Sequence, residues 1–190
     1  PKAVFRELSK RAVREHEAGH PFKVGIFSGA SSCQSIEGDM ALAHAIKFRA
    51  PFSTNKDFRE HVNLEEIEYE DMHLGHMAER LRHGVYGTMD WLIIEASDIV
   101  EGTDECRLSL TSAGGIATTA ARLARRIIIE LNHFHSPLSR MLHDTFEPGE
   151  CGFGRQPIPI IHVLDRIGND YVSIDPKKIV CVVECNIPEE

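Results

Sequence analysis

The chain has 190 residues, of which 42% are hydrophobic and 26% are charged, and its formal net charge is −8. This composition is ordinary for a globular protein, and the length indicates one domain with one core. The acidic balance argues against nucleic-acid binding, because phosphate neutralisation requires an excess of Lys and Arg.

The sequence shows no membrane segment and no disulfide framework. No apolar run reaches the length of a transmembrane helix, and no N-terminal stretch has the layout of a signal peptide. The cysteines are an odd number at irregular spacings: Cys33, Cys106, Cys151, Cys181 and Cys185. We therefore expect a cytoplasmic protein. Because the chain starts at Pro1 inside a helix pattern, we also expect it to be a piece of a longer protein.

Helical periodicity alternates with short apolar runs along the first part of the chain. The predicted elements are a helix over residues 1–19, a strand over 22–27, a turn over 28–32, a helix over 36–46, an extended piece over 48–52 and a helix over 56–62.

The same alternation continues to the C-terminus. The predicted elements are strands over 67–72, 91–96, 126–131, 158–163 and 178–184, helices over 74–83 and 116–124, and an irregular surface region over 137–154. Strands that alternate with helices predict an α/β fold with an open, largely parallel sheet flanked by helices.

The turn Gly29-Ala30-Ser31 lies between a predicted strand and a predicted helix. Backbone N–H groups at such a turn attract phosphate or carboxylate, and Ser31 adds a hydroxyl. The other interpretation is a tight turn that needs small residues, and the local pattern alone favours it.

Two further polar residues allow a structural and a functional interpretation. Thr54 either caps the helix that follows it or binds a substrate carboxylate, and the local pattern favours the cap. Arg166 lies in the loop Asp165-Arg166-Ile167-Gly168 between two predicted apolar strands. It either pairs with Asp165 at the surface or binds a carboxylate with its bidentate fork.

The 11 histidines raise the question of a metal site. The closest pairs in the sequence are His73 with His76 and His133 with His135, but no His-Glu-x-x-His motif is present. Cys181 and Cys185 have the wrong spacing for a zinc knuckle. We therefore expect no metal site.

Four carboxylates lie near the ends of predicted elements: Glu37, Glu95, Glu130 and Glu184. No neighbouring base or oxyanion-binding glycine pair marks any of them as a nucleophile, so structural roles are preferred.

A series of short motifs resembles the acetyl-CoA hydrolase/transferase family. The similar segments are Pro1-Lys2-Ala3-Val4, Phe27-Ser28-Gly29-Ala30-Ser31, residues 69–76, residues 91–97, Thr111-Ser112-Ala113-Gly114, residues 127–132 and Asp165-Arg166-Ile167-Gly168. They occur in the order that the family has.

The resemblance implies a NagB/CoA-transferase-like fold in which residues 1–190 are the N-terminal domain of a larger two-domain enzyme. The catalytic glutamate would lie in the C-terminal domain, so no catalytic residue is expected in this chain. The residues that the resemblance implies for substrate binding are Gly29, Ala30, Ser31, Thr54 and Arg166. Coenzyme A would be a substrate, and no cofactor is expected.

The implied reaction moves CoA between acetyl-CoA or succinyl-CoA and a small carboxylate (acetate, succinate, propionate or butyrate) through a glutamyl-CoA thioester. The implied partners are the C-terminal domain and a second copy of the enzyme, and this chain alone is expected to be inactive. The alternative is a non-catalytic ligand-binding or assembly domain with the same fold. A zinc hydrolase is a more distant possibility.

Overall fold

The computed structural model describes residues 1–149, 157–158 and 160–189, which divide into two compact units. The first unit contains Pro1–Met77 and Pro188–Glu190, and the second contains Ala78–Ile187. Each unit has its own sheet and its own hydrophobic core, so the expectation of a single core is wrong.

The first unit is built on a three-stranded parallel sheet of order β1-β2-β3. Its elements are α1 (Lys2–Glu17), β1 (Val24–Phe27), α2 (Asp39–Leu42), β2 (Ile46–Ala50), α3 (Lys56–Asn63) and β3 (Glu68–Tyr69), with a π-helical turn over Gln34–Gly38. Because β1 and β2 are parallel, the loops that follow Phe27 and Ala50 leave the sheet at the same edge.

The core of the first unit lies between this sheet and its helices. Phe5, Leu8 and Ala12 recur at helical spacing and turn one face of α1 toward the core. Met40 from α2 and Phe58 from α3 are fully buried in the same cluster. Burial of these apolar faces fixes the helices beside the strand ends.

The second unit contains a five-stranded mixed sheet of order β7-β5-β4-β6-β8. Its elements are α4 (Leu74–Arg82, which begins in the first unit), β4 (Trp91–Val100), β5 (Cys106–Leu110), α5 (Ala117–Leu123), β6 (Arg126–Asn132), β7 (Val172–Ile174) and β8 (Ile179–Cys185). β4, β6 and β8 are parallel, whereas β5 runs antiparallel to β4 and β7. The run Ile127-Ile128-Ile129 lies in the central part of this sheet, as expected for a parallel strand covered on both faces.

The structure confirms the α/β class and most of the predicted elements, including the helix over residues 116–124 and the strand over 126–131. The predicted helix over 36–46 ends at Leu42, because His44 adopts a left-handed conformation with φ of 51°. β5 was not predicted.

The predicted strand over 158–163 is wrong for its described residues, none of which lies in a strand. Ile161 and Val163 are 82% and 97% exposed, so their apolar character does not report a buried strand. Pro159, Cys151 and the end of the predicted irregular region, from residue 150 onward, lie outside the described residues.

Among the described residues, no helix combines the length and the apolarity needed to cross a bilayer.

Candidate functional site

A buried ion pair organises the strand-end loops of the first unit. Glu37 lies in the π-helical turn and Arg49 lies in β2, and both side chains are 0% exposed. Arg49 donates from Nη2 and Nε to Glu37 Oε1 over 2.7 and 3.1 Å. A buried pair needs such hydrogen bonds to offset the desolvation of two charges.

Arg49 also holds the loop that follows β1. Its Nη2 donates to Ser28 Oγ at 2.7 Å and to the Gly29 carbonyl at 3.1 Å. The Gly29-Ala30-Ser31 turn is therefore attached to the neighbouring strand by a side chain that the sequence analysis did not select. The strand Ile46–Ala50 contains two cations, of which Lys47 is exposed and Arg49 is buried, so the sequence alone did not single out Arg49.

Ser31 is held from both sides. Its hydroxyl donates to Glu37 Oε2 at 2.6 Å and accepts the Cys33 N–H at 3.1 Å. Because a hydroxyl has one proton, the Ser31 donor is used by Glu37 in this arrangement. The adjacent Gly29 and Ala30 are exposed, and their N–H groups have no acceptor within the described part of the chain.

Thr54 lies beside Ser31, because the Thr54 N–H donates to the Ser31 carbonyl at 2.9 Å. The predicted capping role of Thr54 is wrong: Asn55 caps α3, and its side-chain oxygen accepts the Phe58 N–H at 3.0 Å. The Thr54 side chain is exposed, and its hydroxyl has no hydrogen-bond partner among residues 1–149, 157–158 and 160–189. The structure thus brings Ser31 and Thr54 together and leaves Thr54 accessible.

Arg166 lies in the second unit and pairs with Asp144. It donates from Nε to Asp144 Oδ1 at 2.5 Å and from Nη2 to the His143 carbonyl at 2.8 Å. The proposed surface pair with Asp165 is wrong, because Asp165 instead accepts the N–H groups of residues 162 and 161. Both hydrogen bonds lower the pKa of Asp165, and the bond from the His162 N–H has the larger effect.

The loop that carries Arg166 is not a link between two strands, as its sequence suggested, but is pinned to the segment before it. Thr145 and Asn169 exchange backbone hydrogen bonds of 2.7 and 2.9 Å. A Cβ at Gly168 would lie 1.9 Å from the Thr145 carbonyl oxygen, so only glycine fits this crossing.

His143 connects the same segment to the turn after β5. Its Nε2 donates to the Thr111 carbonyl at 2.6 Å, and a Cβ at Gly114 would lie 3.0 Å from its Nδ1. Arg166, His143 and the Thr111–Gly114 turn therefore form one connected polar cluster in the second unit. No local motif in the sequence marks His143.

The strand-end carboxylates all contact neighbouring side chains. Asn132 Nδ2 donates to Glu95 Oε1 at 2.6 Å, and Cys185 Sγ donates to the buried Glu130 at 3.6 Å. The exposed Glu184 lies 3.1 Å from His133 Nε2. These contacts agree with structural roles.

The five predicted substrate residues divide between the units. Gly29, Ala30, Ser31 and Thr54 belong to the first, and Arg166 belongs to the second. A common pocket for all five remains a prediction.

The parallel-rich sheets flanked by helices, with polar loops at strand ends, define a CoA-transferase-like α/β fold. Residues 1–184 match the family model of the acetyl-CoA hydrolase/transferase N-terminal domain. The chain therefore belongs to this family, which confirms the resemblance noted from the sequence.

Curated relatives carry transferase and hydrolase names. The chain is 38% identical over 189 residues to the propanoyl-CoA:succinate CoA transferase of Escherichia coli (strain K12), covering 100% of this chain and 38% of the relative. It is 33% identical over 195 residues to the succinyl-CoA:acetate CoA-transferase of Clostridium kluyveri, covering 100% and 34%. It is 32% identical over 191 residues to the acetyl-CoA hydrolase of Yarrowia lipolytica, covering 97% and 36%.

A solved structure shows the same fold. RipA from Yersinia pestis superposes with a TM-score of 0.55 at 13% identity, covering 100% of this chain and 37% of that one. The chain thus spans little more than a third of the length of these relatives and of this structure.

Proposed function

We propose that this chain is the N-terminal domain of a CoA transferase that exchanges CoA between an acyl-CoA, such as acetyl-CoA or succinyl-CoA, and a small carboxylate. Family membership and the transferase names of two relatives support the proposal. Because the chain covers only 38% and 34% of those relatives, the rest of the enzyme would supply the nucleophile, a glutamate of a C-terminal domain.

The observation that carries this proposal is the rigid loop pair around Ser31 and Thr54. Glu37 and Arg49 hold the loops through buried hydrogen bonds to Ser31 and Gly29. The Thr54 hydroxyl and the N–H groups of Gly29 and Ala30 remain open to solvent. A carboxylate accepts hydrogen bonds from hydroxyl and N–H groups of this kind. In this proposal Ser31 shapes the loop and Thr54 contacts the substrate.

Arg166 would supply the positive charge for the same carboxylate. Its side chain is 46% exposed, and only Nε and Nη2 are engaged by described residues. The Nη1 side of the fork is therefore available to an incoming anion, while Asp144 and His143 keep the plane of the group oriented.

The proposed reaction has two covalent intermediates. The glutamate oxygen attacks the thioester carbonyl, which forms an acyl-glutamyl anhydride and releases CoA thiolate. The thiolate attacks the glutamyl carbonyl, which forms a glutamyl-CoA thioester and releases the first carboxylate. The second carboxylate then reverses both steps and leaves as the new acyl-CoA.

Water must be kept from the glutamyl thioester, because its attack there would give hydrolysis instead of transfer. The acetyl-CoA hydrolase name of the Yarrowia lipolytica relative fits this competing step. The proposal extends to a cytoplasmic homodimer, supported by the irregular spacing of the cysteines for the compartment and by the family resemblance for the assembly.

Mass spectrometry of the intact, full-length enzyme tests the proposal. Incubation with an acyl-CoA and no acceptor is expected to add the mass of CoA less one water to one glutamate outside this chain, and a carboxylate is expected to remove the adduct. The isolated chain is the control, and it is expected to acquire no adduct and to catalyse no exchange. Transfer without an adduct would contradict the glutamyl mechanism, and absence of both would favour a non-catalytic binding domain.

A further inference from the structure

One histidine from the turn after α2 meets a histidine and a glutamate from the end of α3 on the first unit. His61 Nδ1 lies 2.7 Å from Glu66 Oε2, and His44 Nδ1 lies 3.4 Å from the same oxygen. One ligand atom from each residue lies within 4.8 Å of the other two. The histidine pairs that stand out in the sequence belong to neither this cluster nor its loops.

Helix ends place all three side chains. The Ala45 and His44 N–H groups bond back to Met40 and Ala41, so α2 ends in a Schellman motif. His44 occupies its left-handed position, with φ of 51°.

α3 ends in the same motif. The Glu66 N–H donates to the His61 carbonyl at 3.0 Å, the Glu65 N–H donates to that of Val62, and Glu65 has φ of 60°. His61 and Glu66 are thereby the first and last residues of one closed turn. The C-terminal end of a helix carries partial negative charge, which favours a cation there.

We propose that His44, His61 and Glu66 form a binding site for Zn²⁺, with a water molecule as the fourth ligand. Imidazole nitrogen and carboxylate oxygen are ordinary zinc ligands, and bonds of about 2.0–2.2 Å in a tetrahedron separate ligand atoms by roughly 3.3–3.6 Å. The separation of 3.4 Å between His44 Nδ1 and Glu66 Oε2 lies in this range, and that of 2.7 Å between His61 Nδ1 and Glu66 Oε2 is shorter. Zn²⁺ binding would therefore require the His61 and Glu66 side chains to move apart.

The electrostatics agree with the geometry. A hydrogen bond from His61 is the largest effect on the pKa of Glu66 and lowers it. Burial opposes this effect, the charges of His61, His44 and Lys23 add to it, and the net result is a lowered pKa. Lys23 Nζ binds the Glu66 carbonyl at 3.4 Å, which places one competing cation beside the site.

The site lies on the solvent side of the unit. His61 is 14% exposed, whereas His44 and Glu66 are 51% and 40% exposed. Zinc there would link the α2–β2 turn to the end of α3, the helix whose N-cap, Asn55, follows Thr54. The inferred role is to hold α3 in place, separate from the chemistry of transfer.

Calorimetric titration of the purified, metal-free protein with Zn²⁺ tests the site. His61→Ala and Glu66→Gln are expected to weaken binding at least ~10-fold. His83→Ala is the matched control, because His83 is an exposed histidine paired with one glutamate, Glu79, at 3.9 Å. It is expected to bind Zn²⁺ as the wild type does.

Two further measurements keep the test decisive. Co²⁺ is expected to give the visible absorption of a tetrahedral N/O site in the wild type and in His83→Ala, but not in Glu66→Gln. His44→Asn, which tolerates the left-handed backbone, is expected to weaken Zn²⁺ binding while the circular dichroism of the apoprotein stays unchanged. No Zn²⁺ binding, or equal binding in all variants, would overturn the site.

Discussion

The guanidinium of Arg49 and the carboxylate of Glu37 form an ion pair that water does not reach, with Nη2 and Oε1 2.7 Å apart. Arg49 Nη2 also donates to Ser28 and Gly29 in the loop after β1 and to the Phe52 carbonyl in the loop after β2. Its Nη1 is buried without a hydrogen-bond partner among the described residues. The pair therefore supports the loops of the candidate site. Removal of either partner is costly for stability, because it leaves the other charge buried alone.

Single substitutions in this pair are expected to destabilise the protein strongly. Glu37→Gln and Arg49→Met should each lower the free energy of unfolding by about 3–5 kcal/mol, because each leaves one charge buried alone. The double variant should cost less than the sum, since it removes both charges. Urea denaturation measures all three.

The exposed pair of Arg107 and Glu105 is the matched control for that experiment. Arg107→Met should change stability little, because solvent screens the pair. An equal cost for the buried and the exposed pair would show that Glu37 and Arg49 do not support the loops as described.

Thr54 and Asn55 are expected to separate substrate binding from stability. Thr54→Val in the full-length enzyme should lower kcat/KM for the carboxylate. The lost hydrogen bond to a charged group corresponds to about 1.5–3 kcal/mol of transition-state stabilisation, and Tm should change little. Thr54→Ser, which keeps the hydroxyl, should restore most of the activity.

Asn55→Ala should do the reverse of Thr54→Val and lower the free energy of unfolding by about 0.5–2 kcal/mol, through loss of the α3 cap. Steady-state kinetics and thermal unfolding give both readouts. Normal carboxylate use by Thr54→Val would remove Thr54 from the site.

Arg166 is expected to determine carboxylate use. Arg166→Glu in the full-length enzyme should severely reduce kcat/KM for the carboxylate, and Arg166→Lys should recover only part of it, because Lys retains the charge but not the fork. Arg140→Glu, which removes an exposed arginine 3.8 Å from Asp170, is the control and should change little. Unchanged activity of Arg166→Glu would show that Arg166 lies outside the site.

Gly168 is expected to tolerate no side chain. Gly168→Ala places a Cβ against the Thr145 carbonyl, so the crossing must open, at a cost of roughly 1–3 kcal/mol in unfolding free energy. Displacement of the neighbouring Arg166 should also raise KM for the carboxylate. Gly75→Ala is the control, since its Cβ would meet only His73 Nδ1 at an ordinary 3.5 Å. Wild-type stability of Gly168→Ala would contradict this packing.

Glu147 is expected to make stability depend on pH. Burial raises its pKa, but hydrogen bonds from Arg82 and Thr119 and the charges of Arg82 and Arg122 outweigh that effect and lower it. A lowered folded-state pKa stabilises the protein above the unfolded value of about 4.3, and this contribution is lost as pH falls through the folded value.

Glu147→Gln should accordingly be less stable than the wild type at neutral pH, and the difference should shrink below about pH 4. Urea denaturation across this pH range measures it. A difference that is independent of pH would mean that the Glu147 charge does not contribute.

Local patterns predicted the elements whose burial follows from their own sequence. The run of residues 126–131 is apolar enough to form a buried strand in any α/β context. The alanines of the helix over 116–124 favour a helix locally, and they pack against the strands of the second unit. The same reasoning predicted a strand over residues 158–163, and its described residues form none. Hydrophobicity leads to a strand only where a neighbouring strand is present to pair with it.

The order of short motifs was sufficient to recognise the family, and the family model over residues 1–184 confirms it. The α/β class also followed from the amino acids alone, since turn chemistry and apolar periodicity are local properties. The same holds for the positions, after strand ends, of Gly29, Ala30, Ser31 and Thr54. The tertiary structure alone decided which polar groups meet: Arg49 with Glu37, Arg166 with Asp144, and His44 with His61 and Glu66. Such partners are joined by the folding of distant segments, and no periodicity along the chain records that approach.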